Sequence, residues 1–276
     1  MSGGRTTGTA WRPDDLPWAH FDPSKLDGNL LKVVKAASLV EFNGADYAIY
    51  LCNVFNDDPE FQAAAKTWAA EEIQHGAVLA RWAALADPTF DFEASFRRFT
   101  EGYAIPLDAE ASVRGSRAGE LVARCIVEVG TSSYYTALAD ASEEPLLTAI
   151  CRRIAADELR HYKLFYDHLN RYLDRDGIGR WQRIRVALGR IGESEDDELA
   201  YAYFAANGEG APYDRRRWSR AYLQRAYRFY RRRHLRRAVA MAFKAAGLNP
   251  QSPLTGLVSN LGYGALRLRL ALGKAA

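Results

Sequence analysis

Two segments of this chain repeat one spacing of carboxylate and imidazole, and that repeat constrains the fold more than any other feature. Glu72 and His75 lie in Glu71-Glu72-Ile73-Gln74-His75, and Glu158 and His161 in Asp157-Glu158-Leu159-Arg160-His161. A Glu-x-x-His pair puts both side chains on one face of an α-helix, a turn apart. Upstream of each pair lies a single Glu in apolar surroundings: Glu41 after Leu39-Val40, and Glu128 after Ile126-Val127. The intervals from lone to paired Glu are 31 and 30 residues. Helical hairpins of equal size therefore bring each lone Glu level with its pair. With 16 Glu and 5 His among 276 residues, random placement gives roughly 0.3 Glu-x-x-His occurrences, and two are present.

The surrounding pattern is helical. Apolar residues recur at three and four from Leu30 to Phe55, which predicts a first helix. Asp58 is a natural N-cap, with Pro59 in the first position of a second helix running to about Leu85. Residues 87–114 read as a longer, less regular connection containing Phe90, Phe92, Phe96 and Phe99. A third helix covers about Ser116–Ala141, and Ser142 caps a fourth that lasts to about Leu173. Shorter helices follow near 178–191 and 195–206, then a basic helix near 213–246 and a weakly amphipathic tail over 250–276. No alternating strand pattern occurs, so the predicted class is all-α. The expected organisation is an N-terminal arm (1–28), a four-helix bundle (29–175) and a C-terminal helical extension (176–276).

Four Glu and two His turned inward from four helices form the ligand set of a ferritin-like di-iron or di-manganese carboxylate site. Carboxylate oxygens suit Fe(III), imidazole suits Fe(II), and four carboxylates offset the charge of two iron ions. Four such Glu buried without metal would each cost several kcal/mol or be forced to protonate. A single Glu-x-x-His is usually a surface pair on an amphipathic helix. The doubled, evenly spaced set points instead to metal ligands Glu41, Glu72, His75, Glu128, Glu158 and His161.

At these residues the chain resembles the soluble acyl-carrier-protein desaturases of the ferritin-like superfamily. Their metal helices read Trp-x-x-Glu-Glu-x-x-His-Gly and Ala-Ala-Asp-Glu-x-Arg-His. Here they appear as Trp68-Ala-Ala-Glu71-Glu72-Ile-Gln-His75-Gly76 and Ala155-Ala156-Asp157-Glu158-Leu-Arg160-His161. The family's Glu-x-x-Thr appears as Glu128-Val-Gly-Thr131. The resemblance covers about residues 29–175. It implies those six ligands to two iron ions, with manganese an alternative in one position, and it sets Thr131 beside the oxygen-binding face. Gln74 stands where the plant enzymes usually carry Arg, the chain is shorter than theirs, and the basic C-terminal region has no counterpart. Substrate identity is therefore open.

Around the ligands, Asp157 is placed to accept the far N–H of a metal-bound His, which would fix its tautomer. Trp68, a turn before Glu72, either lies on an electron route or fills the core. Thr131 either donates a proton or hydrogen bond at the oxygen-binding face or satisfies its own helix. Gly44, Ala45, Gly130, Ser132 and Ser133 are small residues after the two lone Glu, and mark an open cavity or close helix packing. Tyr47, Tyr50, Tyr134 and Tyr135 line that cavity, serve redox, or pack the core. Cys125 reads as a buried thiol.

Apolar residues make up 48% and charged residues 26% of the chain, a globular balance. Three scattered cysteines exclude a disulfide framework and fit a reducing, cytoplasmic setting. The start has no signal-peptide pattern, and no apolar run is long enough for a transmembrane segment. The net charge of +3 hides an asymmetry: residues 211–246 carry 11 Arg and one Lys against Asp214 alone, or +11, leaving −8 for the remainder. Trp218, Tyr222, Ala226 and Phe229 form a stripe on this basic helix suited to docking on the bundle. Its arginines then face an acidic partner such as an acyl carrier protein or ferredoxin, contact RNA or anionic lipid, or are solvated.

These features point to an O2-dependent di-iron oxidoreductase that acts on a C–H bond of an organic substrate. The resemblance implies fatty acyl desaturation with an external, ferredoxin-like electron donor. The alternatives are a di-iron hydroxylase or oxygenase of another small substrate, a rubrerythrin-like ferroxidase or peroxidase, and a non-enzymatic scaffold. A homodimer is compatible with the sequence, which does not fix the oligomeric state.

Overall fold

Four helices carry the lone and paired glutamates, and capping side chains fix where each begins. In the computed structural model, which describes residues 11–193, 197–208 and 210–272, α1 (Gly28–Phe42) follows Asp27, whose carboxylate accepts from the amides of Asn29 and Leu30. It is followed at once by α2 (Gly44–Val54). Asp58 accepts from the Phe61 amide and starts α3 (Pro59–Ala86). After α4 (Phe92–Gly102), the Ser116 hydroxyl accepts from the Gly119 amide and starts α5 (Arg117–Ala141). Glu144 caps α6 (Pro145–Asp176), which stops at Gly177, where φ is 62° and glycine carries no penalty. The remaining helices are α7 (Arg180–Glu193), α8 (Asp197–Asn207), α9 (Arg215–Ala226), α10 (Arg232–Ala245) and α11 (Pro253–Leu272). No strand occurs among the described residues. The class is all-α, as the periodicity predicts.

The largest helix–helix contact joins α5 to α6, and α3 packs on α1, α2 and α6. Buried apolar side chains fall into two clusters. One gathers Val33, Leu39, Trp82, Leu138 and Ile150; the other gathers Leu51, Phe61, Leu121, Phe165 and Tyr172. Fully burying each such side chain stabilises by about 1.5–3 kcal/mol. Glu41, Glu72, Glu128 and Glu158 lie at the level between the two clusters, so the apolar core frames a polar layer.

Several boundaries differ from the sequence expectation. The first helix is two, broken at Asn43 (φ −79°, ψ 9°), where Asn-Gly lowers helix propensity, and both halves pack on α3. The connection over 87–114 contains α4, capped by Asp91 and packed through Phe92 and Phe96 against Phe42. Ser142 closes α5 rather than capping the next helix. Glu144 takes the cap because its carboxylate accepts from the Leu146 and Leu147 amides and from Trp82 Nε1. The basic helix is also two, since Tyr230 and Arg231 are extended and His234 Nδ1 accepts from the Arg231 amide. That turn docks Trp218, Tyr222 and Ala226 of α9 in the first core cluster, with Phe229 partly buried beside them. It also lets His234 reach Asp140 of α5. From the N-terminal segment, Trp11 and Leu16 are buried against the bundle. Residues 1–10, 194–196, 209 and 273–276, which include the start of the predicted 195–206 helix and the end of the tail, lie outside the described residues.

Candidate metal centre

The hairpin spacing brings all six predicted ligands to one level of the bundle. Glu41 comes from α1, Glu72 and His75 from α3, Glu128 from α5, and Glu158 and His161 from α6, and all six are buried. Their ligand atoms form two groups, Glu41–Glu72–His75–Glu158 and Glu72–Glu128–Glu158–His161, each with all atoms within 4.8 Å of one another. Glu72 and Glu158 belong to both, and each divides its two oxygens between them. His75 Nδ1 lies 3.7 Å from Glu72 Oε2 and 3.3 Å from Glu158 Oε1. His161 Nδ1 lies 2.9 Å from Glu72 Oε1 and 3.7 Å from Glu158 Oε2. Glu41 reaches only the His75 group, at 4.0 Å, and Glu128 only the His161 group, at 3.6 Å. Two shared and two separate carboxylates, with one imidazole in each group, give two overlapping sites that could each hold a cation.

Unpartnered atoms test whether a cation fits. His75 Nδ1, His161 Nδ1, Glu72 Oε1, Glu128 Oε1 and Glu158 Oε1 are buried and make no hydrogen bond. Buried polar atoms are almost always satisfied, so a convergent set of five needs a common partner. The donor set of carboxylate and imidazole suits iron or manganese.

Protonation in the bare protein tells the same story. Burial, then repulsion from Glu72 and Glu158, pushes the Glu41 carboxyl well above the usual range. Burial, then the charges of Glu158 and Glu72, does so for Glu128 against the opposing pull of His161. Burial alone would raise Glu72, but the Glu41 carboxyl and the His161 imidazole beside it outweigh that and hold it well below. Burial alone would lower both histidines, but the surrounding carboxylates raise them well above an ordinary imidazole. Protons thus occupy the place of cationic charge in this layer, and metal binding there must displace them.

Behind each imidazole stands an acid from the opposite helix. His75 Nε2 is 3.0 Å from Asp157 Oδ2, and His161 Nε2 is 2.7 Å from Glu71 Oε2. Both pairs leave Nδ1 turned inward and fix the ring's orientation. Arg160 bridges the two acids, at 2.5 Å from Asp157 Oδ1 and 3.3 Å from Glu71 Oε2. Burial opposes ionisation of both acids, but these hydrogen bonds hold each below its usual range. Trp11 Nε1 donates to Asp157 Oδ2 at 2.7 Å, and its ring lies parallel to His75 at 6.1 Å. The Tyr135 hydroxyl donates to Glu41 Oε1 at 2.6 Å.

Glu71, Trp11 and Arg160 are absent from the sequence-derived site residues. Glu71 precedes Glu72 as Asp157 precedes Glu158, which was a readable signal. Trp11 comes from a segment without periodicity, 146 residues from Asp157, and nothing local announces it.

A cavity of about 1100 Å³ reaches this layer, lined by Glu41, Glu72, Glu128 and Glu158 at one part and largely by apolar side chains elsewhere. Small-molecule pockets commonly measure about 300–1000 Å³. Trp68 is on its wall and packs edge-on to His161 at 6.5 Å and Phe165 at 5.4 Å. Thr131 also lines it, and its hydroxyl donates to Val127 O at 3.0 Å within its own helix. Gly130 opens onto the cavity, because a Cβ there would meet nothing within 4 Å. Gly44 is a packing contact instead, because its Cβ would come within 2.7 Å of Glu72 Cβ. Ser132 and Ser133 tie neighbouring backbone at Ala155 O and His234 O. Tyr47, Tyr134 and Tyr135 line the cavity, whereas Tyr50 turns away and donates to Glu120. Arg124 is buried on the same wall, its Nε 3.5 Å from Glu120 Oε1. Cys125 is a buried thiol, raised well above its usual range first by burial and then by Glu128.

Among known proteins, the family described as "Fatty acid desaturase" matches residues 54–185. This span holds five of the six clustered residues and leaves Glu41 outside. No curated protein matches the chain.

Proposed function

We propose that the chain is an O2-dependent di-iron oxidoreductase that removes hydrogen from an organic substrate, with desaturation of a fatty acyl chain as its reaction. The family match over 54–185 supports a desaturase-type oxidoreductase, and the buried acid–histidine cluster supports a metal cofactor. One observation carries the finer reading: two overlapping ligand groups, joined by Glu72 and Glu158, lie on the wall of an apolar cavity. A ferroxidase would be better served by an acidic, water-filled approach than by walls such as Val40, Ile126 and Val129.

Two iron ions held by Glu41, Glu72, His75, Glu128, Glu158 and His161 would supply the binding and reduction of O2. The chain's own residues do the rest. Asp157 and Glu71 keep His75 and His161 in the tautomer that presents Nδ1, and Tyr135 orients Glu41. The cavity's apolar wall holds an alkyl chain and excludes water, while Trp68 packs against the layer where oxidation occurs. In balance, a –CH2–CH2– unit, O2, two electrons and two protons give –CH=CH– and two waters. The electrons come from an external donor, since the three cysteines are single, dispersed thiols. Hydroxylation needs the same ligands and cavity, and product analysis separates the two.

The test is metal analysis of the purified protein, followed by reduction and exposure to O2 with acyl-carrier-bound and free fatty acyl substrates. Two iron equivalents and a product lacking two hydrogens are expected. A product that gains one oxygen atom instead would assign a hydroxylase. Absence of bound metal, or full activity in Glu158→Ala, would overturn the proposal.

A further inference from the structure

We infer that the C-terminal helices form a seat for an anionic lipid bilayer, with the cavity opening beside it. The seat stands on the surface alone; the idea that it delivers a lipid acyl chain to the cavity rests on the function proposed above.

The observation is a helix that leaves five of its seven leucines exposed. The deeply buried residues of α11 are the hydroxylic Thr255 and Ser259, whereas Leu254, Leu257, Leu261, Leu268 and Leu272 are all at least 49% exposed. At 3.6 residues per turn these leucines fall within an arc of about 60° along roughly 30 Å of helix. A contiguous exposed apolar stripe of this kind marks a binding surface rather than scattered surface leucines. Arg267 and Arg269 lie on its two flanks, and α11 contains no acidic residue. No helix of the described residues is long and apolar enough to cross a membrane. An apolar stripe with basic flanks lies in the interface instead.

Charge selects the occupant. From residue 211 to 272 the chain carries 14 Arg and Lys against Asp214 alone, a net +13. Arg232, Arg236 and Arg237 of α10 are exposed, and α10 packs directly on α11, where the Arg232 guanidinium covers the Tyr263 ring. A second copy of this chain would bring two such faces together and repel itself. Anionic headgroups satisfy the arginines while the acyl region takes the leucines, which an acidic protein surface does less completely.

The cavity shares this surface. Leu272 belongs both to the exposed stripe and to the cavity wall. Ile191 of α7 is half exposed and also lines the cavity, and Trp181 and Leu188 extend the apolar surface of its helix at 82% and 64% exposure. The part of the cavity wall made by α7, α9 and α11 thus carries exposed apolar side chains together with the exposed Arg215, Arg216 and Arg220.

The experiment is co-sedimentation of the full chain with vesicles of phosphatidylcholine alone or mixed with phosphatidylglycerol. The wild type is expected to pellet with the mixed vesicles and to be released by salt. Leu257→Ser/Leu261→Ser/Leu268→Ser changes only exposed residues outside the cavity wall, and should weaken binding at least about tenfold. Arg232→Gln/Arg236→Gln should weaken it about fivefold per arginine. Thermal melts confirm that both variants fold. Metal-depleted protein should bind equally, so failure of the metal assignment leaves this result untouched. No pelleting with mixed vesicles would overturn the inference. So would salt-sensitive binding that ignores the leucines, which fits an acidic protein partner, or a solution dimer that the leucine variant dissolves while vesicles stay unbound.

Discussion

Gly76→Ala is the sharpest test of how the metal layer is built, because propensity and packing predict opposite signs. In a helix interior, alanine is about 1 kcal/mol more favourable than glycine. Gly76, however, faces Phe42 of α1, and an added Cβ would come within 2.4 Å of Phe42 N and 2.7 Å of its Cα. Ordinary contact is 3.4–4 Å, so α1 and α3 must part by about 1 Å. Backbone atoms cannot swing aside, and overpacking of this kind costs about 1–3 kcal/mol. The net change is then from about 0 to a loss of about 2 kcal/mol. Gly130→Ala is the matched control, in α5 beside Glu128 with nothing within 4 Å, and should gain about 1 kcal/mol. Phe42 and Gly76 directly follow Glu41 and His75, so the same separation widens one ligand group. Metal–ligand distances in a well-formed site fall within about 0.2 Å of their standard values. Urea unfolding of the metal-free variants, paired with metal titration, reads both effects. If Gly76→Ala matched Gly130→Ala in stability and kept both metal equivalents, the α1–α3 contact described here would be wrong.

Asp157→Asn and Glu71→Gln should each weaken metal binding about 10–100-fold by freeing an imidazole, measured by competition with a chelator; unchanged affinity would remove both from the site. Tyr135→Phe leaves Glu41 Oε1 without its donor and should destabilise the metal-free protein by about 1–3 kcal/mol, with a smaller loss once metal is bound; equal losses in both states would refute that link. The hydrogen bond from Lys35, then those from Thr89, hold Asp87 at about 2. A depressed folded value stabilises above the unfolded value and is lost as pH falls. Urea midpoints should therefore drop between about pH 4 and about pH 2. Asp87→Asn should flatten that interval, and an unaltered profile would show that the pair contributes nothing.

What could be read from the sequence was whatever had a period. Glu-x-x-His depends only on helical spacing, so six residues on four helices could be assembled without coordinates, and Asp157 with them by adjacency. The α4 stripe Phe92, Phe96, Phe99 had a period too, but lay in a stretch dominated by Asp-Pro and Gly breaks. Trp11 had none. Its place is set by one indole N–H finding a buried carboxylate across 146 residues. The breaks at Asn43 and at Tyr230-Arg231 were hidden for a related reason. Helical spacing resumes beyond each, and only the tertiary partners, α3 for Gly44 and Asp140 for His234, show what each break accommodates.

The two halves match in their ligands yet differ in what holds them. Each has a terminal Glu, a His and an acid behind the imidazole, so internal repetition alone would make two equivalent positions. On the His75 side, Asp157 is gripped by Trp11 as well as Arg160, and Glu41 is gripped by Tyr135. On the His161 side, Glu71 has Arg160 at a longer 3.3 Å, and one oxygen of Glu128 has no hydrogen bond. Supporting hydrogen bonds set how little a ligand must reorganise when a cation arrives or changes charge. The position held by Glu41 and His75 is therefore the more rigid one. The group of Glu128 and His161, next to Gly130 and the cavity, has fewer such contacts and is the more readily rearranged. The repeated spacing brings the six side chains together; the departures from symmetry distinguish the two groups.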